Sequence, residues 1–456
     1  MKIIVCGATE VSKSIVSYLI KGSSDIIVID KDQRRLDDLA QTFDILPVYG
    51  NPSHPDILEK AGAKDCDIIL ALTESDEVNM IICQIAFSLF AIPSKIACVN
   101  SKTFLDPLWG MLYNDNHLPI DLMISPDIDI AEQIIKIIQY PGSSGILPLL
   151  DNKYCILTLN ITSFCPFLNM SLSQINKQIE QDKEVGFLNI VRKNVSFLPH
   201  MYEELQVGDE LNLIVKMENI NATINYFGLE KNTNERIVIF GGGTIAQYIC
   251  NHIEKDDAIT SSRLIEQDIN LAREFAKQFN RTIIIQGEMM SDVILTEADI
   301  TNADAAIAVT DNDKDNLLAS LIASHSGVGT TISLINTGSY SNLMFNITDN
   351  TIVDRGAITI SKLLKEIRHS SINKAYSISR GQCEIWEMSI SETSFCAMKK
   401  IGELGLPKMC RIIALLRGKS IIYPEMNHRL EIGDRILVYV DSTQIKEAEN
   451  FFVKSL

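Results

Sequence analysis

Gly241, Gly243 and Ala246 stand at the spacing G-x-G-x-x-A inside "ERIVIFGGGTIAQYICNHI" (235–253), after an apolar run and before helical periodicity. The first glycine allows a tight turn. The second lets the backbone approach an anion, and a small third residue lets the following helix pack on the strand. The chemistry of such a turn is binding: free N–H groups at the positive end of a helix receive the pyrophosphate of a dinucleotide. Glu266 follows Gly241 by 25 residues, at the end of the next apolar run. A carboxylate there suits a ribose diol and repels a 2′-phosphate, so NAD(H) is favoured over NADP(H). Gly241, Gly243, Ala246 and Glu266 are the residues this spacing singles out.

A second turn of the same kind opens the chain, "MKIIVCGATEVSKSIVSYL" (1–19). Its residues are Gly7, Ala8, Thr9, Glu10, Val11 and Ser12, with Asp30 following Gly7 by 23. Thr9 stands where glycine would allow close approach, and its branched Cβ intrudes on the space for phosphates. Glu10 adds negative charge. Nucleotide binding and a structural contact without ligand both stay open for this turn. Thr73 and Thr310 end apolar strands, at the carboxyl edge where such sheets bind ligands. Either could touch a ligand or cap the next helix; Asp76 and Asp313 are the better cap candidates. Asn79 and Asn316, one turn further, suit a cap, an inter-domain contact or a ligand.

The elements that must position these residues are written twice. Gly7 matches Gly241 at a shift of 234, Asp30 matches Glu266 at 236, and Gly50, Thr73 and Asn79 match Gly287, Thr310 and Asn316 at 237. Leu36, Leu39, Ala40 and Phe43 fall opposite Ala272, Phe275, Ala276 and Phe279, the stripe of a helix covering a sheet. Short apolar strands alternating with helical stretches imply a doubly wound parallel sheet, so the fold class is α/β with two Rossmann-like domains. A smaller repeat follows each copy: "LQVGDELNLIV" (205–215) corresponds to "LEIGDRILVYV" (430–440), a Gly-Asp turn into an alternating strand. These are small α+β domains, and the order along the chain is A–B–A′–B′. The stretch 115–142 reads as a helix leaving A, 356–369 as its counterpart after A′, and 225–236 as the link between halves.

Composition removes several classes of function. The net charge is −17 with no basic stripe, which disfavours nucleic acid and anionic lipid. No stretch approaches the roughly 20 apolar residues of a membrane span; "MIICQIAFSLFAI" (80–92) reads as a buried helix. Met1 leads straight into a strand, so no signal peptide is expected and the location is cytoplasmic. The 10 cysteines lie at least ten residues apart, with no C-x-x-C and no Cys/His cluster. They read as small buried hydrophobes, and no metal site is expected.

Two copies of G-x-G-x-x-[GA]…[DE]…G-[DN]…[AV]-x-T-x-x-D-x-x-N, each followed by a Gly-Asp hairpin unit, resemble RCK domains, the regulators of potassium conductance. The tandem arrangement, and "GNPSHPDILEKAGAKDCDIILALTESDEVNMIICQIAFSLF" (50–90) above all, is similar to the TrkA family of peripheral NAD-binding subunits in bacterial Trk potassium uptake. The resemblance implies RCK N-terminal Rossmann-like domains over 1–123 and 232–350, and RCK C-terminal domains over 143–227 and 368–456. It implies NAD(H), with ATP or ADP as alternatives, at Gly7 to Val11, Asp30 and Thr73, and at Gly241 to Ile245, Glu266 and Thr310. It implies a homo-oligomeric ring on the cytoplasmic face of the plasma membrane, docked on a membrane-embedded potassium channel subunit. The family often carries an Arg near the ligand after the fourth helix; Cys98 holds that place here, and 331–337 contains no basic residue.

The rival expectation is an NAD-dependent oxidoreductase. That chemistry needs an acid–base His or Lys set against the nicotinamide. The β-rich units share no matched His, since His200 and His428 lie at different offsets from the Gly-Asp turns. The expectation is therefore a regulator and not an enzyme, with an RCK regulator of another cation channel or antiporter as a further alternative.

Overall fold

The computed structural model describes residues 1–20, 25–179, 185–229, 233–336, 350–368, 372–418 and 420–453. Parts of three expected segments therefore lie outside the described residues: 230–232 of the link, and the ends of 331–337 and 356–369.

The first Rossmann-like sheet contains β1 (Lys2–Cys6), β2 (Asp25–Asp30), β3 (Leu46–Tyr49), β4 (Ile68–Ala71), β5 (Ser94–Cys98) and β6 (Leu122–Ile124), in the parallel order β3-β2-β1-β4-β5-β6. Strands covered by helices on both faces read as continuous apolar runs, and Ile3, Ile4, Val5 and Cys6 of β1 are fully buried. Each buried Ile or Val contributes about 1.5–3 kcal/mol by leaving water. Helices α1 (Glu10–Leu19), α2 (Gln33–Thr42) and α3 (Asp76–Phe90) connect the strands. Asp32 caps α2 by accepting from the backbone of Arg34 and Arg35. The segment expected as a buried helix is α3, but it is two-faced: Met80, Ile82, Cys83 and Ala86 are buried, whereas Ile81 and Leu89 face solvent. The stretch 115–142, expected as one exit helix, first supplies β6 and then α4 (Pro126–Gln139).

The antiparallel sheet that follows has the order β10-β9-β11-β8-β7, from β7 (Gly145–Leu149), β8 (Tyr154–Asn160), β9 (Gly186–Arg192), β10 (Val195–Phe197) and β11 (Glu210–Lys216). The second half repeats the plan. A parallel sheet of order β14-β13-β12-β15-β16-β17 contains β12 (Arg236–Phe240), β13 (Ser261–Glu266), β14 (Thr282–Gln286), β15 (Ala305–Ala308), β16 (Thr330–Ile335) and β17 (Thr351–Asp354). Its helices include α5 (Thr244–Ile253), α6 (Ile269–Gln278) and α7 (Asp313–His325), and α8 (Arg355–Ile367) leaves it. The last sheet has the order β18-β19-β22-β20-β21, from β18 (Lys374–Ile378), β19 (Cys383–Ser389), β20 (Cys410–Arg417), β21 (Ser420–Ile422) and β22 (Arg435–Asp441), followed by α9 (Ile445–Val453).

The Gly-Asp turns are built alike. Gly208 and Gly433 take positive φ (85° and 92°). Asp209 then accepts from Arg192 Nε (2.8 Å) and Nη2 (2.9 Å), and Asp434 accepts from Arg417 Nε (2.9 Å) and Nη2 (2.8 Å). The bidentate geometry fixes the hairpin against the neighbouring strand.

The compact units do not follow chain order. One comprises residues 1–126 and 356–456, so A packs with B′; the other comprises 127–355, so B packs with A′. In the first unit one apolar core runs from Ile3 and Val5 of β1 through Ile15 of α1 and Leu363 of α8 to Trp386 of β19 and Phe452 of α9. In the second, Asn234 Nδ2 donates to the Ile138 carbonyl at the end of α4 (3.0 Å). The helices α4 and α8 carry the chain out of each Rossmann-like domain and into the other unit. All 10 cysteines are buried, as expected of small hydrophobes, and burial pushes the thiols of Cys83, Cys155, Cys250 and Cys410 up to about 12.

Candidate functional site

The turn in the second unit joins β12 to α5. Gly241 takes φ +96°, its N–H donates to the Ile265 carbonyl (2.9 Å), and a Cβ on it would lie 2.7 Å from Thr310 Cγ2. Glycine is required there by conformation and by space. Gly242 N donates to Glu266 Oε2 (2.5 Å), and a Cβ would lie 2.6 Å from that same oxygen. Gly243 differs: it sits in extended backbone at the N-cap of α5, and a Cβ would meet nothing within 4 Å. Its missing side chain leaves open space above the helix start. No side chain caps α5, so the first-turn N–H groups face that space. Ala246 is fully buried where the helix meets the sheet. Thr244 is exposed and Ile245 is buried.

Glu266 therefore has a task that the sequence did not reveal. Besides Gly242 N, it accepts from Asp268 N (2.6 Å), so one carboxylate holds the turn and the start of the β13–α6 loop. Asp30 does the same in the first unit, taking Ala8 N at 2.5 Å and Asp32 N at 2.8 Å.

The first turn begins as the second does, with Gly7 at φ +103° and its N–H on the Ile29 carbonyl (2.8 Å). It then diverges at Thr9. The Thr9 side chain folds back onto the protein: Oγ1 accepts from Ser12 N (3.3 Å) and donates to the Leu72 carbonyl (3.3 Å). Thr9 is thus the N-cap of α1 and takes up a first-turn N–H that is uncapped in α5. Ser12, matching Ala246, is fully buried. Glu10 is exposed and Val11 half-buried. Arg35 Nη1, on α2, donates to Glu74 Oε1 in the β4–α3 loop (2.7 Å), a solvent-exposed pair; the matching residues in the second unit are Leu271 and Asp311.

The threonines and asparagines form one device in each unit. Thr73 donates through N (2.9 Å) and Oγ1 (2.7 Å) to Asn79 Oδ1, and Asn79 Nδ2 donates to the carbonyls of Thr73 (3.0 Å) and Cys98 (2.9 Å). Thr310 and Asn316 repeat this at 2.8, 2.7, 2.9 and 3.0 Å, with the Leu334 carbonyl in place of Cys98. Both asparagines are fully buried, so they clamp two adjacent strand ends inside one domain and neither cap a helix nor join domains. The caps are Ser75 and Asn312, one residue before Asp76 and Asp313. Asp76 instead accepts from Asn100 N (3.0 Å) and Ser101 N (2.8 Å), and Asp313 from Asn336 N (2.7 Å).

A basic residue is linked to the second turn through Asn336 and Thr310, and it follows the sixth strand. Arg355, the first residue of α8, donates through Nε to Asn336 Oδ1 (2.8 Å) and through Nη1 to Asp127 Oδ1 (2.5 Å). Asn336 in turn approaches the Thr310 carbonyl (3.5 Å). In the first unit Pro126 holds the position of Arg355. The signal was an Arg directly after the sixth strand, not the fifth.

Comparison with known proteins agrees with this geometry. The TrkA-N domain matches residues 3–125 and again 237–354, and the TrkA-C domain matches 386–453. The chain is similar to the Trk system potassium uptake protein TrkA of Azorhizobium caulinodans, 29% identical over 100% of this chain and 99% of that one. The protein of the same name from Haemophilus influenzae is 29% identical, again over 100% and 99%. Among solved structures, one titled "GsuK channel bound to NAD" has the same fold, with TM-score 0.64 and 17% identity over 99% of this chain and 79% of that one. Among the described residues no helix is long and apolar enough to cross a membrane.

Proposed function

This chain belongs to the TrkA family, and we propose that it is a regulatory subunit of a potassium uptake system, gating a membrane-embedded potassium channel subunit in response to a bound nucleotide. The observation that carries this is the uncapped turn at Gly243 beside Glu266. The residues of that turn fit NAD(H): Gly243 and Thr244 for the pyrophosphate, and Glu266 for a ribose diol. ATP or ADP would present the same two groups. Gly241, Gly242, Ile245 and Thr310 shape the turn and hold it. The corresponding set in the first unit is Gly7 to Val11, Asp30 and Thr73, where the Thr9 cap weakens or excludes a nucleotide.

The groups gathered at the second turn bind and orient. Gly241 to Ile245, Glu266, Thr310 and Asn336 include no His or Lys to move a proton at a nicotinamide. The nucleotide then acts as a signal. A ligand shifts a conformational equilibrium by its difference in affinity for the two states, about 1.4 kcal/mol for each tenfold. A homo-oligomeric ring carrying one such site per chain adds these contributions, and it acts on the cytoplasmic face of the plasma membrane. Calorimetric titration of the full chain with NADH, NAD, ADP, ATP and NADPH tests the reading. Saturable binding of NADH, NAD or an adenine nucleotide, with NADPH weaker than NADH, is expected; heats of dilution alone for all five would overturn it.

A further inference from the structure

Glu384 is a fully buried carboxylate in β19 of the first unit, and four donor groups converge on it. Tyr18, in the last turn of α1, donates its hydroxyl to Oε1. Arg368, the residue following α8, donates through Nε to Oε2 (3.1 Å) and through Nη2 to Oε1. Trp386 Nε1 donates to Oε2 (2.5 Å). Arg368 also reaches Glu449 of α9 through Nη1 (3.0 Å). The Tyr18 ring lies over Gly381, where a Cβ would be 3.4 Å from Cδ2. Burial, and then the charge of Glu384, push the Tyr18 phenol far above its ordinary value, so it stays a donor.

A buried charge gripped in this way resists displacement, because moving any one partner leaves another polar group unpaired in an apolar core. The cluster joins three elements of different origin: α1, which begins at the first turn; α8, which arrives from the second half; and β19 of B′.

The second unit lacks the cluster at all three positions. Glu384 opposes Val440 in the β19–β22 register, and Cys155 opposes Val215 in the matching β8–β11 register, so Cys155 takes the place of Glu384. Tyr18 and His252 each lie 11 residues after the first glycine of their turns, and Arg368 and Gln139 each lie 13 after the start of α8 and α4. The counterpart of a buried ionic cluster is an exposed contact between Gln139 Nε2 and His252 Nε2 at 3.4 Å.

We propose that the Glu384 cluster is a linkage that makes α1 and the B′ sheet move as one body, so that the state of the first turn and the state of B′ are coupled, while α5 in the second unit can shift independently of the B sheet. The linkage is a property of the ligand-free chain; its use in regulation rests on the function proposed above.

Hydrogen exchange of the full chain without nucleotide, read by mass spectrometry, tests this. Tyr18→Phe should raise exchange about tenfold in α1 and, together with it, in β19. His252→Ala, at the matching position, should leave β8 within about twofold of the parent. The proposal is overturned if Tyr18→Phe speeds exchange in α1 alone, or if β8 responds to His252→Ala as strongly as β19 responds to Tyr18→Phe. Should Tyr18→Phe not fold, the parent chain gives the same decision in mild denaturant: α1 and β19 should share one opening transition, and α5 and β8 should show two. Separate transitions for α1 and β19 would refute the linkage. Because no nucleotide is present, failure to bind NADH would overturn the proposed function without deciding this comparison.

Discussion

The two turns share a first glycine, a carboxylate that braces the loop and a Thr–Asn clamp, and among their differences the third residue decides how the helix start is satisfied. In the second, Gly243 leaves space above an uncapped helix; in the first, Thr9 fills that role with its own oxygen and caps the helix. A helix start can serve a ligand or be satisfied internally, and a single side chain decides which. The units containing them diverge in the same sense. The first has the Arg35–Glu74 pair and, at the far end of α1, the Glu384 cluster; the second has Leu271 and Asp311, and the exposed His252–Gln139 contact.

The shared features should fail alike. Gly7→Ala and Gly241→Ala each force a side chain into positive φ against the neighbouring strand end, and each should lower stability by about 2–4 kcal/mol in denaturant unfolding. A large effect in one turn only would break the comparison at its root. Asn79→Ala and Asn316→Ala remove buried amides with four hydrogen bonds apiece, and each should cost about 2–3 kcal/mol by the same measurement. The differences should separate the turns. Glu266→Gln can keep the bond to Gly242 N but loses the charge and, with one acceptor oxygen, the bond to Asp268 N, so NADH binding should weaken by about tenfold or less while NADPH gains relative to NADH, in competition titrations. Thr9→Gly should cost a few tenths of a kcal/mol in stability, since glycine is an adequate N-cap, and should raise nucleotide affinity at the first turn several-fold. The smallest effect concerns acid. Arg236 grips Asp304 and holds its carboxyl below the usual range, whereas the matching Asp67 takes the Lys2 backbone N–H. That stability is present above the unfolded value of about 3.9 and is lost as pH falls through the lower folded value. Asp304→Asn should therefore flatten the acid limb of the stability curve below about pH 4, followed by circular dichroism.

Much of the α/β plan was legible because it is local. Parallel strands buried on both faces are apolar runs, the turns announce themselves by glycine, and the duplication fixes their correspondence. The exchange of C-terminal domains was not legible, because nothing in α4 or α8 records which sheet the chain reaches next. At the site, Gly241 and Glu266 could be read from spacing, but Glu266 as a brace could not, since its donors are backbone groups. Asp76 and Asp313 looked like caps by residue type; Ser75 and Asn312, one residue earlier, have the extended backbone a cap needs. Arg355 was missed because its strand is the sixth, paired at the sheet edge by tertiary contact.

The central claim is that the second turn is the nucleotide site and that the space at Gly243 is what makes it one. Titrating NADH calorimetrically into the parent chain and into Gly243→Val tests this most directly. The valine has room in the ligand-free structure, so the variant should fold with unchanged circular dichroism and melting while binding at the second turn is lost, at least about 100-fold in affinity. A folded Gly243→Val chain that binds NADH with the parent's affinity and stoichiometry would contradict the account.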